Sequence, residues 1–333
     1  MKLTRFVKFG IKYIIGYKID GVGLILTRNC NLKCPYCYIK NKKNNTNLKK
    51  ENWKKIIDNF TSNKHMHFIF TGGEPILYKD LPYLINYASK KAITSMITNS
   101  TLLNERNFEK LKNLDAISFS IDTIDSNSNM PKKSIKKLAM LKKNCKKYYI
   151  ECQAIITITS ENVEEVPNII KEVNKYGIPV LLSLIHSEKG NYDFRTYKPN
   201  IDFSSKKNVS KLQKLQKTLI AMKKNKKYLI DERLEFLQNL VNYVKGKYKI
   251  KCPATEYFFT INNDGRIKAC HDIKPSNINA TNFKDYNEMK KEIKKTIPHR
   301  CNCFYDCYFN SQMRNKQIIY ILKNKLLNLF GFK

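Results

Sequence analysis

The sequence predicts an α/β fold: a partial (β/α)6 TIM-like barrel, then a small cysteine-rich domain and a C-terminal amphipathic helix. Three observations lead there. Six short runs rich in Ile, Val, Phe and Thr alternate with five stretches whose apolar residues recur three and four apart. A block at 249–310 holds five cysteines and little regular pattern. The C-terminal end returns to helical periodicity with a broad apolar face. Strand followed by helix, repeated, builds βαβ units and a parallel sheet. The long stretches of 3.6-residue period argue against an all-β fold.

The predicted strands are 22–27, 66–71, 93–98, 115–121, 148–158 and 178–184. Between them the helical patterns run over 48–61, 80–90, 104–112, 131–145 and 161–176. The last is the clearest, with Val163, Val166, Ile169, Ile170 and Val173 on one face. This barrel core spans 20–186. Residues 187–208 are polar and carry Gly190 and Pro199, which reads as a connection, and helical periodicity resumes over 209–245. Together 187–248 form a linker and helical segment. Within 249–310, residues 257–269 read as a hairpin turning at Asn263-Asp264-Gly265.

The two ends are basic and amphipathic. In 1–19, Phe6, Phe9, Tyr13 and Tyr17 are interspersed with Lys2, Arg5, Lys8, Lys12 and Lys18. In 311–333, Ile318, Ile319, Ile321, Leu322, Leu326, Leu327, Leu329 and Phe330 alternate with Lys316, Lys323 and Lys325. Such faces either pack on a barrel or lie on an anionic membrane.

With 62 Lys and Arg against 28 Asp and Glu, the formal charge is +34 over 333 residues. A field of that sign attracts anions, although lysine is abundant throughout the chain. No run approaches the ~18 apolar residues that span a bilayer. The N-terminal stretch is broken by Gly10, Lys12 and Gly16, so no signal peptide is expected. The ten cysteines then point to metal binding in a reducing cytoplasm rather than to disulfides.

Chemistry concentrates after the first strand, in Cys30-Asn31-Leu32-Lys33-Cys34-Pro35-Tyr36-Cys37. Three thiols lie on one short loop with no fourth ligand beside them. Structural zinc normally takes four protein ligands; an iron–sulfur cube held by three keeps one iron open. Spacing alone leaves both open. The loop falls at the C-terminal mouth of the barrel, where such folds place reacting groups. The second strand ends in Thr71-Gly72-Gly73-Glu74-Pro75, whose glycines permit close backbone approach and whose Glu74 offers an acceptor for an ammonium.

With these two motifs one strand apart, residues 22–185 resemble the radical SAM superfamily. The resemblance implies that Cys30, Cys34 and Cys37 hold a [4Fe–4S] cluster whose open iron chelates S-adenosylmethionine. Tyr36 would lie near the adenine, and Gly72, Gly73 and Glu74 would bind the methionine end. Thr98-Asn99-Ser100-Thr101-Leu102 resembles a Thr-Asn-Gly-Thr segment of the family, with Ser100 in place of glycine, which makes Asn99 a cofactor-binding candidate. Ser120 and Asp122 resemble residues that meet the ribose, and Asn162 one that touches the nucleoside; capping or turn roles stay open for all of these. The family reduces its cluster with a low-potential donor of flavodoxin or ferredoxin type. Cleavage of the sulfonium then yields a 5′-deoxyadenosyl radical that abstracts hydrogen from substrate.

The second cysteine set is Cys252, Cys270, Cys301, Cys303 and Cys307. Twelve residues separate Cys252 from Gly265 and four separate Gly265 from Cys270. That arrangement resembles the SPASM or twitch domains that follow radical SAM barrels and hold auxiliary [4Fe–4S] clusters. The resemblance implies one auxiliary cluster on Cys252, Cys270 and Cys307 with Cys301 or Cys303, or zinc on the same residues. His271 and Asp272 are candidates for proton transfer there, with Asp272 the catalytic candidate and capping the alternative. Cys145 and Cys152 read as buried thiols. His65 and His67 share a face at the barrel end away from the cysteine loop.

The expected protein is a cytoplasmic radical SAM enzyme, peripheral at the membrane if its ends bind there. Its substrate is a lipid or lipid-linked molecule under that reading, or a peptide or protein drawn by the basic surface. RNA modification rests on charge alone, with no stacking-aromatic motif to support nucleic acid as a partner. A zinc-organised binding protein would leave Gly72-Gly73-Glu74 without a purpose.

Overall fold

The computed structural model describes residues 19–37, 47–62, 65–124, 132, 134–185, 202–248, 254–256, 258–270 and 273–297. The basic ends lie outside these, as do Cys252, His271, Asp272, Cys301, Cys303 and Cys307.

Six parallel strands follow the predicted order: β1 (Ile19–Thr27), β2 (His65–Gly72), β3 (Ile93–Thr98), β4 (Ala116–Ser120), β5 (Glu151–Ile158) and β6 (Val180–Leu184). Between them come α1 (Lys50–Thr61), α2 (Leu81–Ser89), α3 (Glu105–Glu109), α4 (Leu138–Tyr148) and α5 (Val166–Asn174). Two longer connections follow, α6 (Lys206–Lys224) and α7 (Leu234–Val244). Then come the short strands β7 (Phe258–Ile261) and β8 (Ile267–Lys268), and α8 (Tyr286–Lys295). The sheet order is β6-β5-β4-β3-β2-β1-β7-β8, parallel except for the β7–β8 hairpin. Among the described residues no pairing joins β6 to β8, so the barrel stays open there.

Local pattern explains each layer. β5 alternates strictly: Cys152, Ala154, Ile156 and Ile158 are buried, while the residues between them are half-buried. One face packs under the helices and the other lines the barrel lumen. The stripe Val166, Ile169, Ile170 and Val173 of α5 is fully buried, as are Trp53, Ile56, Ile57 and Phe60 of α1. The lumen side is more polar. His67 Nε2 lies 2.8 Å from Ser95 Oγ, and Gln153 donates to Ser118 Oγ at 2.9 Å.

The structure departs from the sequence expectation at three places. The helix expected over 131–145 begins as a 3-10 turn at Ser134–Lys137 and continues to Tyr148. Tyr149 then adopts a left-handed backbone (φ 55°), which ends the helix and delays β5 to Glu151. The helical stretch 209–245 is two helices, because residues 229–231 bridge to the edge of β6: the Val180 and Asp231 N–H groups donate to the Leu229 and Val180 carbonyls at 2.8 Å.

The third difference concerns the block expected to stand apart over 249–310. Its hairpin turns where expected, but β7 pairs in parallel with β1 over Gly21–Leu24 and so extends the main sheet. Phe259 is fully buried, its ring 5.5 Å from that of Phe60, and Ile261, Ile267, Met289 and Ile293 join the same core. A second, smaller cluster gathers Ala254, Ala269, Cys270 and Ile273.

Because the hairpin shares the barrel core, Phe259→Ala is expected to cost about 3–5 kcal/mol. Urea unfolding followed by far-UV circular dichroism should show one transition moved to lower urea. An unmoved main transition would show that the hairpin folds independently of the barrel.

Candidate active site

All the candidate site residues in the described barrel lie at the C-terminal ends of β1 to β5 or on the loops that follow, at one mouth of the sheet. The loop after β1 carries Cys30, Cys34 and Cys37 and has little regular structure of its own, a turn closed by Cys37 N–H on the Cys34 carbonyl at 3.1 Å. Its path is set by the end of β2. Gly73 N–H donates to the Thr27 carbonyl and Glu74 N–H to the Asn29 carbonyl, both at 2.8 Å. A Cβ on Gly73 would overlap the carbonyl oxygens of Asn29 and of Arg28, the latter at 2.7 Å. Gly72 has φ 138°, and a Cβ there would overlap the Thr27 carbonyl. The close approach that the glycine pair permits is therefore to the backbone leading into the cysteine loop.

Glu74 is fully buried and turned toward the end of β3. Its carboxylate accepts from Thr98 Oγ1 at 2.8 Å, from Asn99 N–H at 2.8 Å and from Ile76 N–H at 3.3 Å. Burial lifts its carboxyl above the usual range, and these donors oppose the shift. Asn99 in turn reaches the cysteine loop, with Nδ2 donating to Asn31 Oδ1 at 3.0 Å and lying 3.8 Å from Cys30 Sγ. Ser100 stands where the resemblance leads one to expect glycine, and it takes the left-handed backbone (φ 57°) that favours one. Its hydroxyl bonds the Asn99 carbonyl at 2.8 Å.

On the other flank, Asp122 is fully buried just beyond β4. It accepts from the Tyr36 hydroxyl, from Thr157 N–H at 2.8 Å and from Lys132 Nζ at 3.3 Å. Burial first, then the Asp122 charge, pushes the Tyr36 phenol well above its ordinary value. Asn162 is buried too: its Nδ2 bridges the Asp122 and Thr157 carbonyls at 2.9 Å each, and its Oδ1 accepts from Thr159 N–H at 2.8 Å. Ser120 shares the lumen face with Ser118.

The three thiols differ in setting. Cys30 is exposed and accepts from Leu32 N–H at 3.4 Å; Cys34 is buried, and Cys37 half-buried. Burial raises the Cys30 thiol and pushes Cys34 up to about 11, against the pull of the Lys132 charge. Among the described residues no three His, Cys, Asp or Glu side chains are placed to share one metal ion. In a cube each thiolate takes a different iron, so its sulfurs stand farther apart than ligands of a single ion. Three thiols on one partly open loop, with N–H groups on one sulfur, are a donor set that fits the cube.

Of the remaining candidates, Cys270 is buried in the smaller cluster. Cys145 on α4 and Cys152 on β5 are buried in the main core, with Lys142 Nζ 3.8 Å from Cys152 Sγ. His67 sits low in the lumen on Ser95, away from the cysteines. Lys132 escaped the sequence reading, and Thr98 entered it only as part of the segment around Asn99. Nothing distinguishes Lys132 among the 62 basic residues until the fold sets it on Asp122.

The model of the radical SAM superfamily matches residues 24–173. A protein of Methanocaldococcus jannaschii with no assigned function is 31% identical over 207 residues, 58% of this chain and 68% of its own length. Fe-coproporphyrin III synthase of Methanosarcina barkeri is 32% identical over 176 residues, and a cysteine-type anaerobic sulfatase-maturating enzyme of Clostridium perfringens is 27% identical over 194. Each match covers 50% of this chain but only 44% and 52% of those relatives. A solved structure of native anSMEcpe with bound AdoMet and Cp18Cys peptide superposes with a TM-score of 0.61 at 16% identity, covering 92% of this chain and 99% of that one. The chain belongs to the radical SAM superfamily, whose enzymes work with a [4Fe–4S] cluster and S-adenosylmethionine.

Substitutions at two positions test this geometry. Gly73→Ala forces the Arg28–Asn29 backbone outward, at a cost of about 1–3 kcal/mol. It should lower both the melting temperature and the iron retained after anaerobic reconstitution. At Ser100, Val should destabilise by about 2 kcal/mol, as a β-branched residue held left-handed. Gly there should stay within about 1 kcal/mol of the parent, strain relief offsetting the lost hydroxyl bond. Equal melting temperatures for Gly and Val would refute the left-handed assignment.

Proposed function

We propose that this chain reductively cleaves S-adenosylmethionine at a [4Fe–4S] cluster held by Cys30, Cys34 and Cys37, and directs hydrogen abstraction to a peptide or protein substrate. The observation that carries the first half is the cysteine loop itself: three thiols at the barrel mouth, braced by Gly72–Gly73 beneath and by Asn99 beside Cys30. When bound, the cluster and S-adenosylmethionine supply one low-potential electron and a 5′-deoxyadenosyl radical.

The chain's own residues do the rest. Gly72, Gly73 and Glu74 hold the loop on β1 and β3, and Asn99 links Glu74 to Cys30. Tyr36, Asp122 and Asn162 form the opposite flank, which would hold the nucleoside, with Ser120 facing the lumen. A flavodoxin- or ferredoxin-type donor would reduce the cluster. Cys270, with Cys252, Cys307 and either Cys301 or Cys303, would hold one auxiliary cluster beside the β7–β8 hairpin, where Asp272 is the proton-transfer candidate.

Two findings favour a peptide over a lipid. The lumen carries His67, Ser95, Ser118 and Gln153 in hydrogen-bonded pairs, a lining suited to amide groups rather than acyl chains. Relatives include a sulfatase-maturating enzyme, and the superposed structure holds a peptide. The +34 charge would draw an acidic segment of such a substrate. The basic ends on which the lipid reading rests lie outside the described residues.

Anaerobic reconstitution with iron and sulfide, followed by dithionite and S-adenosylmethionine, tests the first claim. The parent should form 5′-deoxyadenosine and Cys34→Ala should form at least a hundredfold less, an expected loss of about 2.7 kcal/mol or more. Zinc bound without iron, and no cleavage, would overturn it. Liposome flotation of the full chain would move the substrate assignment to a lipid.

A further inference from the structure

We propose that Asn263, in the turn of the β7–β8 hairpin, is a positioning residue for the cluster: it bonds both stems of the cysteine loop and so holds the thiols in the arrangement that takes up iron. The inference deepens the proposed function and rests on Cys30, Cys34 and Cys37 holding that cluster.

The stretch that carries the three cysteines is flanked by Arg28, just after β1, and by Asn47 and Leu48, just before α1. Asn263 meets both flanks. Its Oδ1 accepts from Arg28 Nε at 2.8 Å, its Nδ2 donates to Asn47 Oδ1 at 3.2 Å, and its carbonyl accepts the Leu48 N–H at 2.9 Å. Asn47 closes the ring by donating to Thr27 Oγ1 at 3.1 Å. Leu48 is fixed in turn by the Tyr78 hydroxyl, which donates to its carbonyl at 2.9 Å. Beside this ring, Asn262 Oδ1 accepts a second guanidinium N–H of Arg28 at 3.0 Å.

The residue type suits the task. Asn263 is only 3% exposed, and a buried amide needs its partners. An asparagine offers an acceptor and a donor at once, so one side chain serves the arginine of one stem and the amide of the other. The turn has bonds of its own. Asp264 Oδ1 accepts from Asn262 Nδ2 and from Arg266 N–H, both at 3.1 Å, and Gly265 N–H donates to the Asn262 carbonyl at 2.9 Å. The register of β7 on β1, Gly21 to Leu24 against Phe258 to Ile261, carries this turn alongside the chain leaving β1. Closing a loop of about twenty residues costs entropy that bonds at its stems must offset. Gly72 and Gly73 grip the first stem alone; Asn263 ties the first stem to the second and thereby sets the span of the loop. Three thiolates that each take a different iron depend on that span.

The test begins with hydrogen exchange, read by mass spectrometry on the full chain before iron is added. Asn263→Ala should speed exchange over residues 28–37 about tenfold, the effect of leaving a buried partner unpaired, with β2 to β5 unchanged. Asn47→Ala, which leaves the hairpin intact and cuts only the far stem, should do the same. After anaerobic reconstitution, the EPR signal that is missing in Cys34→Ala identifies the loop cluster. Under an iron chelator that signal should decay about tenfold faster in both variants. Asn263→Asp keeps the acceptor for Arg28 and should fall between Asn263→Ala and the parent. Parent-like exchange and decay in both alanine variants would overturn the inference. So would faster exchange confined to the hairpin, which would make Asn263 a turn residue only. A parent chain that takes up no iron would overturn the cluster reading; faster exchange over 28–37 in the variants would still show the two stems latched by Asn263.

Discussion

Everything at the mouth of this barrel depends on one backbone contact, the end of β2 lying against the strand of chain that runs from Thr27 to Cys30. Two N–H groups, of Gly73 and Glu74, meet the carbonyls of Thr27 and Asn29 at 2.8 Å. The space between the two chains has no room for a single Cβ. The cysteine loop has too few hydrogen bonds of its own to hold three sulfurs in place, so its shape is borrowed from this neighbour. On its outer side, Arg28 donates to Asn263 Oδ1 at 2.8 Å and to Asn262 Oδ1 at 3.0 Å, which ties the same stretch to the turn of the β7–β8 hairpin. The loop is thus gripped between β2 and a turn more than 230 residues away in the chain.

Buried carboxylates make the second set of braces. Glu74 joins the ends of β2 and β3 through Thr98 and Asn99; Asp122 joins β4 and β5 to the cysteine loop through Thr157 and Tyr36. A carboxylate out of water is tolerable only when its oxygens meet donors, and both residues satisfy that condition. Glu165, only half-buried, makes a similar brace, accepting from Thr123 Oγ1 at 2.8 Å and from Ile124 N–H at 2.7 Å. The mouth is therefore a set of loops stapled by acids. That explains how a rigid site is assembled from segments without regular structure.

The barrel core was legible because each strand and helix carries its own period. The alternation of β5 and the stripe of α5 are local facts, visible in any eight or nine consecutive residues. The cysteine spacing and the Gly-Gly-Glu segment were legible for the same reason. Ser100 was visible as a departure from the family pattern, but only the backbone shows that it keeps the left-handed conformation glycine would have taken. The hairpin's placement could not be read. Phe258 to Ile261 is a four-residue apolar run, and nothing in it names β1 as its partner over a separate domain.

The sequence by itself determined the order of strands and helices, the loop that carries the thiols and the residue types available at the mouth. These depend on periodicity and on short-range spacing, which a chain displays before it folds. Only the tertiary structure decided that Glu74 and Asp122 turn inward as braces, that the glycine pair serves a chain crossing, and that Lys132 stands on Asp122 and over the Tyr36 ring. Those are contacts between segments from different βα units. Their partners are chosen by how the sheet curls and by which buried charge most needs a donor, and neither is written in local order.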